Sequence, residues 1–172
     1  MGVVMPTVTY KAQPAIHATR GAVAEGGNEI PYTVSKILWP KQVEKWIGDR
    51  LVGRSLHVCC GKSMLGTVRL DLYEPSANVR ADAARLPFAD GSFDTVFCDP
   101  PYNGKMQWAH DVLSELARVS SRRIIFQHWF APVDRKGQYK KANRFKLIET
   151  AVWQGHAYFG RAQIITVFEI RE

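Results

Sequence analysis

Residues 93–105 read FDTVFCDPPYNGK, a mostly apolar run that ends abruptly in an acid, two prolines and a tyrosine. Phe93 to Cys98 has the character of a buried strand, and the turn residues Ala89-Asp90-Gly91-Ser92 mark its start. A proline donates no backbone hydrogen bond and holds φ near about −65°, so this strand stops at Asp99 and the backbone beyond it is rigid. A buried strand that ends in a stiff, polar corner is the element around which the rest of the chain can be arranged.

Working outward, SLHVCC (55–60) reads as a short buried strand stopped by Gly61, and TVRLDL (67–72) as a second. Ala109, Val112, Leu113 and Leu116 fall at helical spacing after the prolines, and RRIIFQHW (122–129) gives the next buried strand. FKLIETAVWQ and AQIITVFEI, separated by a glycine-containing loop, close the chain as an antiparallel pair. Upstream, Val43, Trp46, Ile47 and Leu51 predict a helix, with Pro40 acceptable in its first turn. Residues 1–33 show no periodic apolar pattern and read as a flexible arm, leaving 34–172 as the single domain that 172 residues allow. Short apolar strands alternating with helices indicate an α/β fold with a mostly parallel sheet. In such sheets ligands bind at the carboxyl ends of the strands, near the reversal of strand order. Gly61, Asp71, Asp82 and Asp99 each lie at or just beyond the end of an apolar run.

Three cysteines, Cys59, Cys60 and Cys98, are too few and too apolar in context for a disulfide framework, and with no CxxC or HxxxH spacing no metal site is expected. No apolar stretch approaches the roughly 20 residues of a membrane helix, and the start MGVVMPTVTYKAQP does not read as a secretory signal, so a cytoplasmic protein is expected. The net charge of +7 is concentrated: residues 118–146 hold nine basic side chains against one acid, Asp134. Phe126, Trp129, Phe130, Tyr139 and Phe145 are interleaved with them, a mixture suited to gripping a phosphate backbone and stacking on bases. Arg135, Lys136, Lys140, Lys141 and Arg144 are the expected nucleic-acid contacts, in a loop and at its end.

The chemistry available at the opening stretch fits a particular acceptor. An exocyclic amine on a nucleobase has its lone pair delocalised into the ring and is a poor nucleophile. Acceptors aimed at its N–H bonds favour the more tetrahedral nitrogen that attacks an electrophilic methyl group. Asp99 offers a carboxylate, Pro100 a carbonyl, and Tyr102 an aromatic face for a base that has left its stack.

On LHVCCGKS, the acid of VRLDL, the ADAARLPF segment and FDTVFCDPPYN, all within residues 56–103, the chain resembles a class I S-adenosylmethionine-dependent methyltransferase of the amino-methylating (DPPY) group. The resemblance implies a Rossmann-like fold and S-adenosylmethionine as cofactor. It implies cofactor contacts from Cys59, Gly61 and Ser63 in the glycine loop, Asp71 and Leu72 at the ribose, Asp82 and Ala83 at the adenine, and Asp99. It makes Asp99, Pro100, Pro101 and Tyr102 the catalytic stretch. The loop departs from the family's DPFCGSG pattern, with His57, Cys59 and Ser63 at altered positions, and ten residues from Gly61 to Asp71 leave room only for an abbreviated first helix. Pro31 to Thr33 of the arm are expected to help close the pocket. His57 is expected to be a satisfied core residue, and His128 to stand at the site end of the sheet without serving as a base.

The aspartate heading the motif suggests adenine N6 in DNA as the acceptor. Methylation of RNA at guanine N2 or adenine N6, and a non-catalytic nucleic-acid-binding subunit of the same fold, are the alternatives. With no room for a target-recognition domain, specificity would come from the 131–143 loop, from an identical subunit in a homodimer or from a partner subunit.

Overall fold

A computed structural model describes residues 39–100, 106–128, 131–132, 134, 139, 142, 144–154 and 162–170. The arm at 1–33, Pro101, Tyr102, Arg135, Lys136, Lys140 and Lys141 lie outside the described residues.

The elements are α1 (Lys41–Gly48), β1 (Ser55–Val58), β2 (Val68–Asp71), β3 (Val79–Arg80), β4 (Phe93–Cys98), α2 (Met106–Val119), β5 (Ser120–His128), β6 (Phe145–Gln154) and β7 (Ala162–Ile170). The strands form one seven-stranded sheet in the order β3-β2-β1-β4-β5-β7-β6. The first five pair in parallel, while β7 runs antiparallel to both β5 and β6. The expected α/β sheet with a terminal antiparallel pair is therefore present. β4, β6 and β7 have the bounds read from the sequence, and the two-residue β3, too short to carry a pattern, was missed.

Side-chain alternation divides the core between the two faces. On one face Leu56, Val58, Leu70, Val96, Cys98, Ile124, Phe126 and Phe168 pack with Val112, Leu113, Leu116 and Ala117 of α2. On the other, Phe97, Ile125, Trp153, Ile165 and Val167 pack with Trp39 and with Val43 and Ile47 of α1. Leu51, read as part of that helix, lies beyond its end but still packs on this core. The amino end of the second face carries charges that cancel in pairs. Arg50 bonds Glu149 (2.7 Å from Nε) and lies 3.5 Å over the Trp46 ring, and Arg123 bonds Glu169 opposite it on β7.

The first connection differs from the expectation of an abbreviated helix: among the described residues there is no helical turn between β1 and β2. Cys59 (φ 58°), Gly61 (φ 49°) and Gly66 (φ 89°) all take left-handed backbone, which a right-handed helix cannot contain. At Gly66 a Cβ would stand 3.2 Å from both His57 Cβ and the Val68 carbonyl oxygen, so the loop is pressed flat against β1.

His57 also differs. It is fully buried against Phe97 (ring centroids 4.4 Å) and Trp39 (5.7 Å), yet neither ring nitrogen makes a hydrogen bond of good geometry among the described residues, the Leu65 backbone being only a loose polar contact. It is a core residue, but not a satisfied one. Burial holds its pKa down to about 3 against the opposing influence of the Leu65 backbone and Asp71, so the ring is neutral in the fold. Burial likewise lowers His128 to about 4. In the unfolded chain both titrate near about 6.5, so the unfolded state binds more protons below that pH. Stability is intact above pH 6.5 and is lost as pH falls toward the lowered values, by up to about 1.4 kcal/mol per pH unit for each group. We expect His57→Phe, which keeps the stacked ring, to reduce the stability difference between pH 7.5 and pH 5 by about 2 kcal/mol in urea titrations. An undiminished pH dependence in the variant would assign the acid sensitivity elsewhere.

Candidate active site

Strand order reverses between β1 and β4: β2 and β3 lie on one side of this pair, and β5, β7 and β6 on the other. Val58 and Cys98 are the last register partners of the pair, so the segments beginning at Cys59 and Asp99 part company at the same level. Connections leaving a parallel sheet in opposite directions open a crevice at the carboxyl edge, the usual ligand position in open α/β sheets. The parallel register places Gly61, Asp71, Asp82 and Asp99 along this edge, as the sequence pattern predicted.

The loop after β1 is organised by Asp71. Its Oδ2 accepts from the Gly61 N–H at 3.0 Å, and its Oδ1 from the Tyr73 and Glu74 N–H groups at 2.9 and 3.0 Å. A carboxylate offers about four acceptor positions, so most of this one's capacity ties the β1 and β2 loops together. Cys60 N–H donates to Leu70 O at 3.1 Å, extending the strand contact, and Ser63 N–H returns to Cys60 O at 3.0 Å. The Ser63 side chain is buried and its Oγ accepts from Leu65 N–H at 3.2 Å, which directs it into the loop. Gly61 is different: a Cβ placed there meets nothing within 4 Å, so open space lies above its left-handed backbone.

Beyond β3, Asp82 is exposed and caps its own turn, accepting from Ala84 N–H at 2.9 Å, with half-buried Ala83 between them. Leu72 is exposed, and its carbonyl accepts from Arg80 Nε at 2.9 Å. Asp99 is half-buried and Pro100 buried. Cys98, just before them, meets the Cys59 thiol across the gap between the loops; burial first, then this contact, pushes its own thiol pKa up. The left-handed Cys59 turns its side chain toward the core face that Cys98 occupies. Burial, with Asp71 nearby, raises Cys60 to about 12. All three thiols are free.

The basic segment looks different in three dimensions. Arg144 is exposed, but its Nη2 donates to the Ala117 and Ser120 carbonyls at 2.9 and 3.1 Å and its guanidinium lies over the Phe145 ring, so part of its donor capacity is used within the fold. Arg118 binds Glu115, Asp90 and the Leu86 and Phe88 carbonyls, and Arg123 is held by Glu169 and the Arg50 carbonyl. Of the aromatic residues interleaved with them, Trp129 and Phe130 lie outside the described residues, Phe126 and Phe145 are buried in the core, and Tyr139 is enclosed with its hydroxyl donating to Leu113 O at 2.9 Å. Counting charges along the chain could not separate cations consumed by carbonyls and carboxylates from cations facing solvent. His128 does end β5 at the site edge, buried and stacked on Phe126.

Sequence reasoning passed over Gln127, Trp153 and Gln163. All three are buried on the α1 face near the carboxyl edge. A polar residue inside IIFQHW and another inside AQIITVF were the available signals.

No family model matches the chain, and no curated protein matches it. Among solved structures it is similar to the 1,6-didemethyltoxoflavin-N1-methyltransferase of Burkholderia thailandensis, with 12% identity over 76% of this chain and 78% of that one, and a TM-score of 0.56. It is similar to the N-methyltransferase NodS of Bradyrhizobium japonicum, with 12% identity over 77% of this chain and 97% of that one, and a TM-score of 0.52. A third similar structure is the magnesium protoporphyrin IX methyltransferase of Synechocystis, with 18% identity over 85% of this chain and 87% of that one, and a TM-score of 0.50. At these identities the likeness establishes architecture: the chain has the Rossmann-like fold of the class I methyltransferases.

Proposed function

We propose that this protein is an S-adenosylmethionine-dependent methyltransferase whose acceptor is an exocyclic amino group of a nucleobase, adenine N6 in DNA first and RNA second. The observation that carries the reading is the position of Asp99-Pro100, at the end of β4, beside the switch point and across from the Gly61 loop. Structures of similar fold are described with S-adenosylhomocysteine or S-adenosylmethionine bound, which supports the cofactor assignment.

The residues present suit that cofactor. Cys59, Gly61, with open space above it, and Ser63 would hold the methionine end, Asp71 through its remaining acceptor capacity and Leu72 the ribose, and Asp82 with Ala83 the adenine. When bound, the cofactor supplies an electrophilic methyl group on a sulfonium. The chain's own task is positional: Asp99 and the Pro100 carbonyl accept the amine's N–H bonds, and the prolines keep those acceptors in place. Tyr102, which the sequence motif places next, would stack the base. Asp99 acts as an acceptor throughout, and water takes the proton after transfer.

A second reading has its own support. A free, flat nitrogen heterocycle would need no basic groove, and Arg118, Arg123 and Arg144 are engaged within the fold. The similar Burkholderia structure has 1,6-didemethyltoxoflavin bound.

The decisive assay follows radiolabelled methyl from S-adenosylmethionine into duplex DNA, single-stranded DNA, RNA and free nucleosides. We expect incorporation into one of these, reduced by about 10²-fold or more in Asp99→Ala. Label that persists at the wild-type rate in the variant would remove Asp99 from the reaction. The loop glycines give a second expectation. Gly61→Ala should cost only about 1 kcal/mol of stability, the strain of its left-handed backbone, but weaken S-adenosylhomocysteine binding by calorimetry. Gly66→Ala adds a clash with His57 and should cost at least about 2 kcal/mol. Equal affinity in wild type and Gly61→Ala would place the cofactor away from this loop.

A further inference from the structure

The α1 face of the sheet carries a row of buried polar groups at its carboxyl edge. Gln127 Oε1, Gln163 Oε1 and Trp153 Nε1 are all buried and have no hydrogen-bond partner among the described residues. Buried polar atoms are nearly always paired; the two His57 nitrogens lie deeper on the same face, and these three cluster at its carboxyl edge, where they call for a common explanation.

Register aligns them. Cys98 and Phe126 are the last register partners of β4 and β5, so Asp99, the first residue past β4, and Gln127 on β5 follow directly from level positions. Gln127 shares the face of Ile125 two residues earlier, and Asp99 continues that of Phe97. Gln127 pairs with Ile165 on β7, two residues from Gln163 on the same face, and Gln163 pairs directly with Trp153 on β6. From Asp99, just past β4, the residues Gln127, Gln163 and Trp153 thus step across β5, β7 and β6 on one face, with Gln163 and Trp153 two residues further toward the carboxyl edge than Gln127.

The chemistry of the row constrains what it holds. Two amides and an indole N–H complement an edge that presents both N–H donors and acceptors. Phe97, Trp39 and Trp153 share the core beneath, an aromatic lining that favours a flat ring. Apart from Asp99 itself, the ion pairs described on this face, Arg50 with Glu149 and Arg123 with Glu169, lie at its opposite end and neutralise each other, so the row offers no cation to an anionic ligand and suits a neutral one.

We propose that Gln127, Gln163 and Trp153 form the acceptor subsite, which reads the hydrogen-bonding edge of a neutral amino-heterocycle and presents its amine to Asp99. This rests on the methyltransferase reading for the identity of the bound ring's reacting group, but the binding itself is separable. The glutamines take ring or exocyclic N–H groups, and the Trp153 indole donates to a ring nitrogen or carbonyl.

The test compares wild type with Gln127→Leu and Gln163→Leu, which keep side-chain bulk and remove the amide. Saturation-transfer NMR measures adenosine, guanosine and cytidine, which carry an exocyclic amine, against purine riboside, which does not. Calorimetry measures S-adenosylhomocysteine, and thermal melts measure the unliganded protein. We expect at least one amine-bearing nucleoside to bind wild type about tenfold more tightly than purine riboside, and each variant to erase that preference. Cofactor-product affinity should stay within twofold and the melting temperature should hold or rise, because an unsatisfied buried amide has been removed. Variants that melt lower and keep the preference would make the glutamines structural and overturn the subsite. Wild type that binds S-adenosylhomocysteine but does not prefer an amine-bearing nucleoside would overturn the subsite and leave the methyltransferase reading standing. Wild type that shows the preference without binding S-adenosylhomocysteine would do the reverse.

Discussion

The pairing of β1 with β4 is the constraint on which everything else depends. Four register pairs, Ser55 with Thr95 through Val58 with Cys98, join two strands that are buried on both faces. Such strands must be apolar almost throughout, and the polar members are absorbed locally. Thr95 Oγ1 bonds both the N–H and the carbonyl of Val52, and Ser55 exchanges hydrogen bonds with Thr67. His57 remains neutral because no charge can be solvated there. The chain then leaves the two strand ends in opposite directions, and the same pairing that builds the core thereby opens the crevice.

The short connections on the β1 side shape the other half of the site. A nine-residue passage from Cys59 to Thr67 replaces a helix, and it holds together through left-handed backbone and the Asp71 carboxylate rather than through an apolar face. With no helix to cover this side, Met64, Leu72 and Tyr73 remain at the surface, Met64 71% exposed. The carboxylate expected at a ribose is thus also the clamp of the loop. One side chain carries two demands because the chain has few residues in which to separate them.

Much of this was legible in the sequence because apolar periodicity reports burial directly. FDTVFC, FKLIETAVWQ and AQIITVFEI have sharp polar or glycine borders, and the strands they predict have those borders. The order of the glycine turn and three acids was readable for the same reason, since each follows an apolar run. β3 was not, because two residues show no period. The loop's lack of helix depends on left-handed Cys59, a residue type that gives no signal of that conformation. The basic segment was legible only as a charge count. Arg118, Arg123 and Arg144 find carbonyls and carboxylates 24 to 73 residues away in sequence, at Ser120, Leu86, Glu169 and Arg50, and linear charge counting cannot see such partners. Tyr139 was misplaced because an aromatic between lysines looks like a surface residue until strand pairing turns it inward.

The polar row on the α1 face shows why a sheet optimised only for stability would have another composition. Each buried amide or indole left without a partner costs about 1 to 3 kcal/mol, and leucine or phenylalanine at those positions would remove the cost. Tolerating several together takes a substantial part of the 5 to 15 kcal/mol that holds a typical domain folded, an order-of-magnitude range. A ligand edge that satisfies these groups binds the folded state alone, so its binding energy returns to the fold as stability. On the proposed subsite, the unfilled hydrogen-bonding capacity beside Asp99 and the apolar core beneath it are parts of one arrangement: the core would supply the stability that lets the row wait for its ligand.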